Sequence, residues 1–216
     1  DGSDSAHPCA FAQAVACSNN STASGTRSVV LTGNISLSSS GTTVTKNTKI
    51  SSLGDTPYAV TYSGPADSYG SLLTVNSAAG LEISNCTLDG GSASTPSTSL
   101  GYLVNVTSGS LSLQSGATLR NISSVCDGCA VVVGPGQTFS MNSGSAISNC
   151  STTYNAAVYL NAGSMTMNGG TISACTAQAK AGGVYVAGTS ASFTMKGGLI
   201  DGCTAPTSSV GLGGAA

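Results

Sequence analysis

The C-terminal half of this chain repeats itself, and that repeat limits the available folds more than any other feature. Ser115–Met141 reads SGATLRNISSVCDGCAVVVGPGQTFSM and Asn142–Met167 reads NSGSAISNCSTTYNAAVYLNAGSMTM. Asn168–Met195 reads NGGTISACTAQAKAGGVYVAGTSASFTM, and Lys196–Ala216 (KGGLIDGCTAPTSSVGLGGAA) begins a further copy. The period is about 26 residues. At such a period each copy is one supersecondary unit that buries its apolar face only against its neighbours. Every copy carries three short alternating runs: a first like GTISAC, a second like GGVYV and a third like SFTM. Alternation over four to six residues predicts strands, and strands recurring at one phase predict an all-β, right-handed parallel β-helix with three strands per coil. Each copy then forms one coil, and coils stack at the strand spacing of about 4.8 Å.

Parity assigns the faces, because successive side chains on a strand point to opposite sides. In the third run Leu111, Phe139, Met165 and Phe193 form one inward column, and Leu113, Met141, Met167 and Met195 form the next. In the second run the inward pairs are Val104/Val106, Val131/Val133, Val158/Leu160 and Val184/Val186. In the first run Ile83, Leu119, Ile147, Ile172 and Ile200 are expected to stack. A slip of one residue would turn all of these to water, which pins the register.

The N-terminal half fits the pattern more loosely. Ser28–Ser38, Thr42–Ser51 and Tyr58–Thr74 read as earlier, irregular coils, Leu81–Asp89 (LEISNCTLD) reads as a first run, and Gly90–Ser99 reads as a surface loop. About seven coils result, a rod of roughly 35 Å. Pro8–Cys17 (PCAFAQAVAC) is the one helical stretch, and an amphipathic helix there would cap the first coil, as solenoid ends require. The expected organisation is a tail and capping helix over residues 1–27, followed by the β-helix over 28–216.

Composition narrows the function. The chain has 216 residues with six Lys+Arg, eight Asp+Glu and one His, and only 6% of residues are charged. It holds 38 Ser and 25 Thr, yet 40% apolar residues and a mean hydropathy of +0.21 distinguish it from a disordered tract. A net charge of −2 provides neither a basic patch for nucleic acid nor a polybasic membrane anchor. No apolar run approaches the roughly 18 residues of a membrane span. Eight cysteines beside one histidine predict disulfides and an oxidising compartment rather than a metal site, and the single CxxC, Cys126–Cys129, is isolated. A start at Asp1 without Met suits a processed secreted product. Seven Asn-x-Ser/Thr sequons add to that reading, and parity points Asn34 and Asn105 outward as candidate glycan carriers.

The segment Gly182–Ala205 (GGVYVAGTSASFTMKGGLIDGCTA), together with the Ala/Phe-rich helix and VVLTGNISL, resembles right-handed parallel β-helix surface proteins. These include pectate-lyase-like adhesive domains and passengers with GG-(A/V/I) repeats. The resemblance runs from about Cys9 to the end of the chain. It implies adhesion or scaffolding at a cell surface. Such repeats often carry Asn where Cys86, Cys150, Cys175 and Cys203 stand here, with Ile122 at the matching position of one coil.

Equivalent positions in adjacent coils lie about 4.8 Å apart, inside the Cα window of a disulfide. Cys150–Cys175 and Cys175–Cys203 are alternative bonds, and Cys126 or Cys129 is placed to reach Cys86 or Cys150. On a straight helix Cys9 and Cys17 are about 12 Å apart, too far to bond to each other.

No catalytic apparatus is legible, and no cofactor or metal site. Polysaccharide-active enzymes on this fold need converging carboxylates, whereas no two of Glu82, Asp127 and Asp201 share a column in adjacent coils. Glu82 is expected diagonally across from Arg120 as a surface ion pair. Two surface features stand out instead. Outward hydroxyls of the third run form columns, Ser110/Ser112, Thr138/Ser140, Ser164/Thr166 and Ser192/Thr194, which resemble the Thr-x-Thr rows of ice-binding solenoids. The outward second-run column reads Thr74, Asn105, Val132, Tyr159 and Tyr185, a small apolar strip suited to a subunit or glycan contact. The last copy stops after two runs with no polar cap, so either the natural chain continues or a second molecule docks there. The expected function is thus a non-catalytic extracellular structural or adhesive protein, self-associating head to tail or binding other surface proteins or glycans. An ice-binding or glycan-binding solenoid is the alternative, and a polysaccharide-active enzyme the third reading.

Overall fold

A computed structural model of the chain describes residues 10–65, 67–91 and 100–205. One helix, α1 (Phe11–Asn20), precedes the strands. The first turn holds β1 (Arg27–Leu31), β2 (Ile35–Leu37) and β3 (Thr42–Val44), and the second holds β4 (Thr48–Ser52), β5 (Tyr58–Tyr62) and β6 (Asp67–Val75). The third holds β7 (Ala79–Ser84), β8 (Cys86–Asp89) and β9 (Leu100–Val106). In the fourth turn β10 (Gly109–Leu113) and β11 (Thr118–Arg120) lead through a two-residue strand, β12 (Ser123–Ser124), to β13 (Gly128–Val133). The fifth repeats that order with β14 (Thr138–Met141), β15 (Ala146–Ser148), β16 (Ser151–Thr152) and β17 (Ala156–Asn161). The sixth has β18 (Ser164–Met167), β19 (Thr171–Ser173), β20 (Thr176–Ala177) and β21 (Val184–Ala187), and β22 (Ser192–Met195) and β23 (Leu199–Asp201) begin a seventh.

Each strand pairs in parallel with its equivalent one turn away. The first face runs β1-β4-β7-β10-β14-β18-β22 and the second runs β2-β5-β8-β11-β15-β19-β23. The third runs β3-β6-β9-β13-β17-β21, and the short strands β12-β16-β20 make a narrow fourth side. The chain is therefore a parallel β-solenoid of about six turns, an all-β fold with three main sheets. The narrow side leaves no mark in the sequence, because two residues are too few to show alternation.

The core is a set of columns along the axis. Leu111 pairs with Phe139, which pairs with Met165, which pairs with Phe193; beside them stand Leu113, Met141, Met167 and Met195. Val104/Val106, Val131/Val133, Val158/Leu160 and Val184/Val186 align on the third face. Leu119, Ile147, Ile172 and Ile200 align on the second. Burying one such side chain fully stabilises the fold by about 1.5–3 kcal/mol, and all but the members in the last turns are inaccessible to solvent.

Ile83 does not belong to that second-face column. It pairs with Leu113 and Ile50 on the first face, and Leu88 is the partner of Leu119. Leu81–Asp89 is thus two strands joined by a corner at Asn85, whose φ is +43°. Ser84-Asn85-Cys86 looks like Ser148-Asn149-Cys150, but the same left-handed Asn turn serves two different corners. Cys86 consequently leaves the Cys150/Cys175/Cys203 column and pairs in register with Tyr58. Of the expected surface loop, residues 92–99 lie outside the described residues, as does Cys9.

From the fourth turn onward the corner after the second face holds one left-handed residue per turn, taken by Asn121, Asn149, Ala174 and Gly202 at φ 56, 52, 51 and 57°. Asn and Gly visit this region readily, whereas Ala is held there at a cost.

The helix lies three residues later than Pro8–Cys17. Gln13 Oε1 accepts the Ala10 N–H at 3.3 Å, bracing the start. The end is extended by tertiary bonds: Asn19 donates to the Thr43 carbonyl at 2.6 Å and accepts the Thr45 N–H at 2.8 Å, and Ser18 shares a hydrogen bond with Thr48. Phe11 and Val15 join the core cluster, so the helix covers the first turn. The Arg27 guanidinium donates to the carbonyls of Ser21, Ala23 and Gly25, clamping the link from helix to solenoid.

Candidate functional surfaces

The hydroxyl columns form in the predicted register. Ser110, Thr138, Ser164 and Ser192 align on the first face, as do Ser112, Ser140, Thr166 and Thr194. Part of this array is already engaged by neighbours. Ser112 Oγ accepts from Ser140 at 3.0 Å, from Gln114 at 2.9 Å and from Asn142 at 3.4 Å. Asn168 donates in turn to Asn142 Oδ1 at 3.0 Å, a short amide ladder along the adjoining corner. The more solvent-facing members are Thr138, Ser192 and Thr194.

On the third face Thr74, Asn105, Val132, Tyr159 and Tyr185 fall in one outward column. The Tyr159 and Tyr185 rings stack with centroids 5.8 Å apart and planes 19° apart. Both rings are half-buried, and burial, then the nearby Asp127 carboxylate, then Tyr185 hold the Tyr159 phenol above its ordinary value. Asn105 lies in this column as parity predicted. Asn34, however, sits in the bend before β2 rather than on a strand, exposed, with Oδ1 accepting the Ala59 N–H at 2.9 Å.

The carboxylates are spread rather than convergent. Glu82 pairs with Lys49 at 3.0 Å, not with Arg120. Arg120 bonds Asp89 at 2.8 Å, because β11 lies beside β8 and sets the two directly opposite. Asp89 also accepts from Asn121 at 3.0 Å and from the Gly91 N–H at 2.9 Å, so one carboxylate ties together two turns of a corner. A single strand over Leu81–Asp89 would not place these groups together; the corner at Asn85 does. Among the described residues no three His, Cys, Asp or Glu gather in a metal-ligating group.

The described cysteines carry thiols, Cys17 exposed on the helix and the others buried. Cys150, Cys175 and Cys203 follow the stacked Ile147, Ile172 and Ile200 by three residues each and so occupy successive rungs. Cys126 is held through its backbone: its N–H donates to Ser124 Oγ at 3.0 Å and its carbonyl accepts from Thr152 at 2.6 Å. Burial pushes the Cys86 thiol up to about 12 from an ordinary 9.0.

The ends differ. At the helix end a hollow of about 240 Å³ lies between Ala12, Ala16 and Asn19 of α1 and Ser39–Thr43. At the other end the core columns emerge. Met195 is 47% and Val186 42% exposed, whereas Met167 and Leu160 one turn earlier are 0% exposed. Compared with known protein families, curated proteins and solved structures, the chain matches none. No helix among the described residues is long and apolar enough to cross a membrane.

Proposed function

We propose that this chain is a non-catalytic structural and adhesive module of an extracellular or cell-surface assembly. The reading rests on the last described turn, where the inward columns end in half-exposed Met195 and Val186 and where β21, β22 and β23 are the outermost strands of their sheets. Strand edges backed by apolar side chains fit the rung of another β-solenoid, since a parallel rung would supply both further hydrogen bonds and further core contacts. A sparse charge, eight cysteines and seven sequons agree with a secreted location. The likeness to β-helix adhesins supports the same class of function.

Head-to-tail polymerisation is the finer form of this proposal. It would bring the last described turn of one molecule against α1 and the adjoining hollow of the next. Sedimentation velocity over a concentration series, with electron microscopy of the same samples, tests it. Association that rises with concentration and is abolished by Met195→Glu supports the reading, and a monodisperse monomer at every concentration overturns it. The in-register hydroxyl columns keep a second reading in play, a face for ice or glycan. Thermal hysteresis and a glycan array decide that reading, and silence in both removes it.

A further inference from the structure

Four buried sulfurs run in single file through the C-terminal turns. The corners bearing Cys150, Cys175 and Cys203 are laced by main-chain hydrogen bonds, Thr176 N–H to the Cys150 carbonyl and Thr204 N–H to the Cys175 carbonyl, each at 2.8 Å. Parallel rungs are spaced at about 4.8 Å, inside the Cα–Cα window of roughly 4.4–6.8 Å for a disulfide. Cys129 joins from β13, where the register shifts between Gly128 and Val131 and the thiol donates to the Ala156 carbonyl of the next turn at 3.7 Å. The Cys129 thiol contacts that of Cys150, Cys150 contacts Cys175, and Cys175 contacts Cys203. None of the four is more than 6% exposed.

Each cysteine enters one disulfide, so oxidation that leaves no two neighbouring thiols has two outcomes in a file of four. A central Cys150–Cys175 bond leaves both ends as thiols, whereas bonds at the two ends use all four. We propose that the file oxidises to two inter-turn disulfides, Cys129–Cys150 and Cys175–Cys203, which staple the fourth turn to the fifth and the sixth to the last.

The oxidant required is a small-molecule disulfide such as glutathione disulfide, or the disulfide form of a thiol–disulfide oxidoreductase acting in the same way. One cysteine thiolate attacks a glutathione sulfur and expels glutathione thiolate. The partner thiolate then attacks the protein sulfur of the mixed disulfide and expels the second glutathione. Two protein thiols thus become one disulfide, the two electrons pass to glutathione disulfide, and the two protons finish on the two glutathiones. The thiol–thiol hydrogen bonds and burial hold Cys175 and Cys203 largely protonated once packed. The exchange therefore belongs to assembly, before the turns close over the sulfurs.

The test is a map of the full chain folded in a glutathione redox buffer, acid-quenched and alkylated without reduction. Cyanogen bromide cuts after Met141, Met165, Met167 and Met195, placing Cys129, Cys150, Cys175 and Cys203 on separate fragments. Trypsin then trims at Arg120, Lys180 and Lys196. The proposal expects fragment 121–141 joined to 142–165, and 168–180 joined to 197–216. A link from 142–165 to 168–180, or alkylation of all four cysteines, overturns it. Fragment 121–141 also holds Cys126, so the map is repeated on Cys126→Ser. Retention of the first link supports Cys129 as the partner, and its loss overturns that assignment.

Discussion

Truncating Ile147 to alanine measures whether the stacked columns carry the stability of the solenoid. Ile147 is fully buried and pairs in register with Leu119 on one side and Ile172 on the other. Ile147→Ala removes three carbons at about 0.8 kcal/mol each, roughly 2.4 kcal/mol of transfer free energy. The cavity left between two fixed rungs raises the expected loss to about 3–4 kcal/mol, within the usual range for such truncations. Ile200→Ala makes the same chemical change in the last described turn, where the side chain is only partly buried and its described column neighbour is Ile172. Its expected loss is about 1 kcal/mol, since nearest-neighbour contacts dominate in a solenoid. Urea unfolding followed by far-UV circular dichroism compares the two variants with the parent chain. Equal losses, or a larger loss for Ile200→Ala, would refute the column argument, because the identical substitution leaves burial and neighbours as the main difference.

Three further outcomes follow from particular residues. Ala174→Gly should raise stability by about 0.5–1 kcal/mol by relieving a left-handed alanine, read as a higher urea midpoint; a lower midpoint would contradict the corner argument. Asp89→Ala should cost about 2 kcal/mol through three stranded donors, while Glu82→Gln, which breaks an exposed pair, should cost under about 0.5 kcal/mol; a reversed order in thermal melts would show that the corner hub contributes little. The Cys86 thiol is held up to about 12 in the fold against 9.0 ordinarily, so the folded state keeps its proton more tightly. That stabilisation is complete below pH 9 and is lost as pH rises towards 12, by about 1 kcal/mol for each pH unit climbed. Cys86→Val should flatten this alkaline decline in urea titrations, and an unchanged slope would assign it to other groups.

The repeat alone was enough to define the architecture of the C-terminal turns, because alternation along each run and recurrence between copies act as independent constraints. Together they suffice to put Leu111 beneath Phe139, Ile147 beneath Ile172 and Val132 beside Tyr159. Where copies diverge, only one constraint remains. Leu81–Asp89 satisfied the alternation of a single strand, and only pairing with β10 and β11 revealed the corner at Asn85. The helix was legible as a helix, but its end depended on Asn19 meeting Thr43 and Thr45.

Surface chemistry divides along the same line. Outward columns within conserved-phase runs were readable, because spacing along the axis is set by backbone hydrogen bonding and is the same for every side chain. Contacts between different faces were not. The Asp89 hub, the Lys49–Glu82 pair and the meeting of Cys129 with Cys150 each depend on how a turn bends at its corners. A local run determines which side of a strand a residue takes. Closure of the chain around the axis, a property of the whole turn, decides which other residues it meets.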